Sequence, residues 1–287
     1  MTRLSVARLH LALTAGLALT LAPALAADQE RIITLGGSVT EIAVALGAED
    51  RLVARDTTST YPDRITALPD VGYIRALSPE NVLALNPDLI IAEGDAGPPE
   101  AVAVLAAAGL PFLTVPEATD PEGVVAKIMA VAQALDLQAE GAALAEQVTA
   151  DLAAARARAA GVDAPKRILF VLSLQGGRVM AGGEGTEAEG IIRLAGGVNA
   201  AAGFQGYKPM TDEAVLQAAP DVILMMDREG DLAIADADVL AQPALGATPA
   251  GVSGAIVRMD GNLMLGFGPR TPEAADLLFQ AFYGSGN

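Results

Sequence analysis

Tyr61 stands in a Thr/Ser/Pro-rich stretch, RDTTSTYP (55–62), between two segments that read as β–α units. The chain has one histidine, His10, and no cysteine. His10 falls in a segment that reads as a cleaved leader, so the mature chain has neither imidazole nor thiol. A tyrosine phenolate is one of the few transition-metal ligands left to it. The same absence removes Ser-His-Asp and Cys-His nucleophile arrangements. It disfavours zinc or manganese capture, whose sites generally want histidine, and no convergent acid pair marks a carboxylate hydrolase. The glycine runs do not cradle phosphates. GGEGTEAEG (182–190) lacks the GK[ST] ending of a P-loop and LGGSVTE (35–41) is not GxGxxG. Both read as strand-to-helix turns on the rim of a cleft, in a binding protein and not an enzyme.

Residues 1–26 have the layout of a secretory signal. Arg3 and Arg8 form a basic start, residues 9–21 are an apolar run too short to cross a bilayer, and Ala24-Leu25-Ala26 is a small-residue cleavage site. The mature chain is expected to begin at Ala27 and to be exported to the periplasm as a soluble monomer without membrane insertion. With no cysteine it has no disulfide and no site for an N-terminal lipid. The leader takes two of the 18 basic residues and none of the 35 acidic ones, which leaves 16 against 35, a net charge of −19. Such a surface repels nucleic acid and anionic lipid and suits a basic partner.

About 260 mature residues exceed the usual single domain, so two lobes are expected. Residues 31–35 read as a strand ending in Gly36-Gly37. Ser38 and Thr40 are placed to cap the next helix, with Glu41 in its first turn. Strands are expected at 52–54, 89–92 and 111–115, and helices at 79–86 and 100–108, bounded by Pro79 and Pro87. This alternation indicates a parallel, Rossmann-like sheet. The second half repeats it. SPENVLALNPDLII (78–91) aligns with TDEAVLQAAPDVIL (211–224) without a gap at an offset of 133, which pairs Glu80 with Glu213 and Asp88 with Asp221. Gly72-Tyr73 precedes the first copy and Gly206-Tyr207 the second. TEIAVALG (40–47) resembles TEAEGIIRLAG (186–196) more loosely. Two matches in the same order indicate internal duplication.

Between the halves, a helix over 120–135 is followed by a longer one over 138–160, with Leu144, Val148 and Leu152 on one stripe. Twenty-three residues of helix reach about 35 Å, enough for a stiff spine. The expected layout is α/β: a leader (1–26), an N-terminal lobe (27–136), a single long spanning helix (137–162) and a C-terminal lobe (163–287), with the ligand cleft between two parallel-sheet lobes.

RDTTSTYP (55–62), LPDVGYIRALSPE (68–80), GDAGPP (94–99), GGVNAAAGFQGYKPMT (196–211) and GFGPRTPEA (266–274) resemble segments of the periplasmic haemin-binding proteins of bacterial ABC haem importers. These belong with the siderophore- and cobalamin-binding proteins. The resemblance covers nearly all of the mature chain. It implies a two-lobed fold with limited hinge motion, capture of haemin, and delivery to an inner-membrane ABC permease dimer. It also implies an axial tyrosine in the first lobe, and the matching position is Tyr61.

Haemin outside the cytoplasm is ferric. A phenolate is a hard anion suited to Fe(III), and tyrosine is an accepted haem ligand. A free phenol titrates near pH 10, so iron or a neighbouring arginine must favour the ionised form. Arg55, Arg64, Arg75 and Arg228 are the candidates, Arg228 because it follows the strand over 222–226 at its carboxyl end. Tyr73 and Tyr207 are further pocket candidates, as is Met226; Met180, Met210 and Met225 fit core packing. With no histidine for a second ligand, five-coordinate iron or a weak sixth ligand is expected. Glu80 and Glu213 suit the helix dipole; in the family, paired glutamates engage arginines of the permease, and their repeat symmetry fits a two-fold partner. The competing reading is a ferric siderophore or cobalamin carrier of the same fold. A more distant one is an exported nucleotide-dependent oxidoreductase.

Overall fold

Four residues, Ile32–Leu35 (β1), carry no polar alternation and are all buried, as a strand covered on both faces must be. Its neighbours are Leu52–Arg55 (β2), Leu89–Ala92 (β3) and Phe112–Thr114 (β4), in the order β2-β1-β3-β4 and all parallel. The computed structural model describes residues 31–284 apart from 229, 231 and 232. The leader, with His10, lies outside the described residues.

Gly36 turns β1 into helix Gly37–Ala45 (α1) at φ 115°, and a Cβ there would lie 2.5 Å from the Glu93 side chain. The cap of α1 differs from the sequence expectation. Ser38 N donates to Glu93 Oε1 at 3.0 Å, and Gly36 N donates to Asp56 Oδ1 at 2.9 Å. Carboxylates from neighbouring strand ends therefore take the N–H groups. The Ser38 and Thr40 hydroxyls are left to bond Glu93, Thr34 and Ser59. Glu41 lies one turn further in and faces the second half of the chain. Pro79–Leu83 (α2) and Pro99–Ala106 (α3) complete the first lobe. Pro121–Ala134 (α4) and Gln138–Ala160 (α5) then carry the chain to the second sheet, packed against each other.

The second sheet is mixed, not purely parallel. Arg167–Gln175 (β5) and Arg178–Gly182 (β6) form an antiparallel hairpin, with Gln175 opposite Arg178. Gly176 and Gly177 between them have φ 59° and 78°, the two positive angles that a two-residue hairpin turn requires. Glu187–Leu194 (α6), the short Val198–Asn199 (β7), Tyr207–Met210 (β8), Asp212–Ala218 (α7) and Val222–Asp227 (β9) follow. Then come Asp236–Ala241 (α8), Pro243–Gly246 (α9), Pro249–Ser253 (α10), Ile256–Asp260 (β10), Gly261–Leu265 (α11) and Thr271–Tyr283 (α12). The order is β10-β9-β5-β6-β8, with β7 on the start of β5.

The sequence repeat is carried into three dimensions. Ser78 caps α2 and Thr211 caps α7. Asp88 accepts the backbone N–H of Arg31 at 3.2 Å, and Asp221 accepts that of Arg167 at 2.8 Å. Each arginine also donates Nε to a carbonyl at the end of the repeat helix, of Asn86 and of Ala218. The Pro-Asp step thus ties each helix end to the start of its lobe's first strand.

One apolar core runs through both halves. Ile32, Val39 and Ile128 on one side join Val148 and Leu152 of α5, then Phe170, Met264, Phe267 and Leu278 on the other. Separate clusters fill the outer faces of the two sheets. Among the described residues, no helix is long and apolar enough to cross a membrane.

Candidate functional site

The loop after β2 is built on Asp56. Its side chain is fully buried and accepts from Gly36 N (2.9 Å), Thr58 N (2.8 Å), Thr58 Oγ1 (2.6 Å) and Ser59 Oγ (2.6 Å). Ser59 is also joined to Thr40 of α1 at 2.6 Å. The Asp-Thr-Thr-Ser run therefore folds as an Asx-type turn that ends by presenting Tyr61. The Tyr61–Pro62 peptide is cis.

Tyr61 sits where the lobes meet. The carboxyl ends of the first-sheet strands face the segment that follows β10. Asn262 of α11 donates to the carbonyl of Thr58 and approaches Thr60 Oγ1 at 3.4 Å. Arg270 places its guanidinium carbon 3.6 Å from the centre of the Tyr61 ring. Glu41 of α1 holds that guanidinium in a two-pronged ion pair, with Nε to Oε2 at 3.0 Å and Nη2 to Oε1 at 2.5 Å. Burial pushes the Glu41 carboxyl up, against the hydrogen bonds and charge of Arg270. Burial works against the Arg270 cation too, but the Glu41 carboxylate outweighs it and holds the guanidinium above its ordinary value. A third tie is Lys127 of α4, whose Nζ bonds Ser38 Oγ and the Gly266 carbonyl, both at 2.9 Å.

The four tyrosines differ in what their hydroxyls do. Tyr61 is 44% exposed, and its hydroxyl makes no hydrogen bond to any described residue. The Tyr73 hydroxyl accepts from Arg75 Nη1 at 3.0 Å. The Tyr207 hydroxyl donates to Glu187 Oε2 at 2.9 Å. Burial, with the Glu187 charge beside it, pushes this phenol far above its ordinary value. Tyr283 bonds Lys166 N and the Gly196 carbonyl. One phenol is thus open at the lobe boundary, while Tyr207 is held neutral.

The arginines proposed from sequence are mostly engaged elsewhere. Arg55 pairs with Asp70 at 3.2 Å and donates to the Asp56 carbonyl. Arg64 lies near Tyr61, but both prongs hold Glu49 at 2.6 Å. Arg75 forms a cluster with Asp95 and Tyr73. Arg228 Nη2 lies 3.7 Å from Met226 Sδ. Met226 lies at the carboxyl end of β9 against Gly261, and hence next to Asn262, and Arg228 directly follows that strand. Glu80 and Glu213 are exposed in the first turns of α2 and α7. Sequence reasoning missed Arg270, Glu41, Asn262 and Lys127 as site residues. The available signal was a charged residue directly after Gly-Pro in GFGPRTPEA.

The α1 N-terminus is no phosphate site, because Asp56 and Glu93 occupy its turn. Two hollows of about 390 and 350 Å³ border the 200–204 segment of the second lobe, and neither includes Tyr61.

Two α/β lobes on a shared core, with an open polar site at the strand ends between them, define a substrate-binding protein of the cleft type. Residues 32–263 match the periplasmic binding protein family model, and the chain belongs to that family. The periplasmic heme-binding protein BhuT, solved in complex with two hemes, is 46% identical. That match covers 88% of this chain and 97% of BhuT at a TM-score of 0.82. The periplasmic heme-binding protein RhuT from Roseiflexus sp. RS-1, in apo form, is 40% identical over 89% of this chain and 98% of RhuT, with a TM-score of 0.84. The uncharacterized ABC transporter substrate-binding lipoprotein YvrC of Bacillus subtilis (strain 168) is 28% identical over 203 residues, 70% of this chain and 64% of YvrC. The vitamin B12-binding protein of Yersinia pestis (strain Pestoides F) is 41% identical over 83 residues, 29% of this chain and 30% of that protein. The matched part spans less than two thirds of either curated relative.

Proposed function

We propose that this protein captures ferric haem in the cleft between its lobes, with the Tyr61 phenolate as axial iron ligand. The observation that carries the proposal is the free Tyr61 hydroxyl at the lobe boundary, the only one of the four tyrosine hydroxyls without a hydrogen bond to a described residue. An iron ion can take that oxygen without displacing a hydrogen-bond partner among the described residues, and ligation favours loss of the phenol proton to solvent. Tyr207 is a poor competitor, because it would have to be pulled from Glu187. The solved relatives named as heme-binding proteins support haem as the cargo. On this reading the two lobes divide near residues 136 and 163, and α5 limits how far they swing. The protein works in the periplasm and hands haem to an inner-membrane ABC permease. Glu80 and Glu213, exposed at equivalent places in the repeat, dock its two halves.

The test is a haemin titration by absorbance, beside Tyr61→Ala. A saturable high-spin ferric spectrum with a phenolate charge-transfer band, lost in the variant, is the expected result. Saturation that survives the substitution moves the ligand to Tyr73, Tyr207 or a methionine. The identity with a vitamin B12-binding protein supports a corrinoid as second reading, favoured if haemin does not saturate and cobalamin does.

A further inference from the structure

Side chains join the lobes along one line at the N-terminus of α1. Asn262 of α11 donates to the Thr58 carbonyl in the loop after β2 and lies 3.4 Å from Thr60 Oγ1. Lys127 of α4 reaches from Ser38 Oγ to the Gly266 carbonyl, 2.9 Å from each, and is 4% exposed. Arg270 closes the far end on Glu41. The second lobe thus supplies Asn262, Gly266 and Arg270, and the first lobe Thr58, Lys127 and Glu41. Between the ties the chains meet at glycines. A Cβ on Gly37 would lie 2.9 Å from Asn262 Cγ, and one on Gly268 3.1 Å from Ser38 Cβ. Displacements too small to admit water would strand the buried Lys127 ammonium, so the first movement apart is the costly one.

We propose that these ties form a pin between the lobes. The seam, and not α5 alone, fixes their spacing, so lobe motion turns about the α1 N-terminus and does not part the lobes there. α5 acts differently. It enters the shared core through Val148 and Leu152, and apolar burial has no preferred direction, so it permits small sliding. The ties are hydrogen bonds, which weaken when their angle changes as well as their length. Any opening of the cleft then widens the side away from residues 262–270, while the loop that carries Tyr61 stays joined to the second lobe through Asn262. The pin belongs to the fold and needs no cargo.

The chain has no cysteine, so introduced cysteines can carry spin labels at chosen places. Val104 of α3 is 52% exposed and Val252 of α10 80%, and their helices pack on the separate outer cores of the two lobes. Double electron–electron resonance on Val104→Cys/Val252→Cys, without ligand, reads the spacing of the lobes. A single narrow distance distribution is expected. Adding Lys127→Met and Asn262→Ala, which removes the Gly266 and Thr58 ties, is expected to broaden it and add longer distances. Gly268→Leu, which drives a side chain against Ser38, is expected to move the whole distribution. Val215→Ala, in the outer core of the second lobe, lowers stability without touching the seam and is expected to change nothing. A distribution that stays narrow without the two ties overturns the inference and leaves α5 as the tether. So does one already broad in the labelled parent, or an equal broadening in Val215→Ala. If the protein with both substitutions does not fold, Asn262→Ala alone takes its place, with the same opposed outcomes. No haemin enters the measurement, so neither result depends on Tyr61 as iron ligand.

Discussion

Lys127→Met removes a polar tie between the lobes with little change in side-chain volume, and its cost can be divided into two parts. The first is hydrogen bonding. Nζ serves Ser38 Oγ and the Gly266 carbonyl, both at 2.9 Å, and two such losses cost about 1 kcal/mol each. The second is charge. Glu93 Oε1 lies 2.5 Å from Ser38 Oγ, and burial pushes its carboxyl above the ordinary 4.5, with the Lys127 charge and the Ser38 bonds only partly opposing. Without Lys127 it rises further. The charge penalty at pH 7 adds to the hydrogen-bond part, for a total above about 2 kcal/mol. In a chain of this size that lowers Tm by more than about 4 °C. The sign with pH is fixed. A carboxyl whose folded value lies above its unfolded value stabilises the fold at low pH and loses that contribution as pH rises. The deficit of the variant should therefore shrink to the hydrogen-bond part, about 2 kcal/mol, near pH 4.5. Urea unfolding at pH 4.5 and at pH 7, in wild-type and Glu93→Gln backgrounds, measures both parts. An equal deficit at the two pH values, or one that stays pH-dependent without Glu93, would refute the reasoning.

Asp56→Ala deletes the acceptor of four hydrogen bonds; thermal unfolding should show a loss of about 3 kcal/mol or more, and haemin titration a weaker Tyr61 site. Gly190→Ala puts a methyl against the Thr119 carbonyl and 2.8 Å from Phe267 Cζ. Overpacking of about 1–3 kcal/mol should lower Tm while the haemin spectrum keeps its shape. Glu80→Lys with Glu213→Lys should abolish haem uptake by permease-containing vesicles and leave haemin titration unchanged.

Much of the fold could be read from local pattern. The strand Leu89–Ala92 and the helix Gln138–Ala160 lie where the apolar runs and prolines put them. The mixed second sheet was not read, although Gly176-Gly177 is a hairpin signal. The repeat after it argued for parallel pairing. The helix cap of α1 failed for another reason. Ser38 and Thr40 are good caps by type, but the helix starts at Gly37 and takes both inside it, while Asp56 and Glu93 accept Gly36 N and Ser38 N from strand ends 20 and 55 residues away. A carboxylate is the stronger acceptor.

The arginine at Tyr61 shows where local reading must stop. The chain carries 35 acidic residues against 18 basic ones, so an arginine beside the site is not thereby available to it. Arg55, Arg64 and Arg75 all lie within 14 residues of Tyr61, and each is taken by a carboxylate: Asp70, Glu49 and Asp95. Arg270 is taken as well, by Glu41. What sets it apart is the place to which its partner draws it. Glu41 stands on the face of α1 that looks across the lobe boundary, so satisfying the ion pair brings the guanidinium onto the Tyr61 ring. Nearness in sequence selects candidates, whereas in an acidic chain the carboxylates decide which cation reaches Tyr61. The Arg270–Tyr61 contact therefore draws on both halves of the chain, and neither half of the duplicated sequence contains it alone.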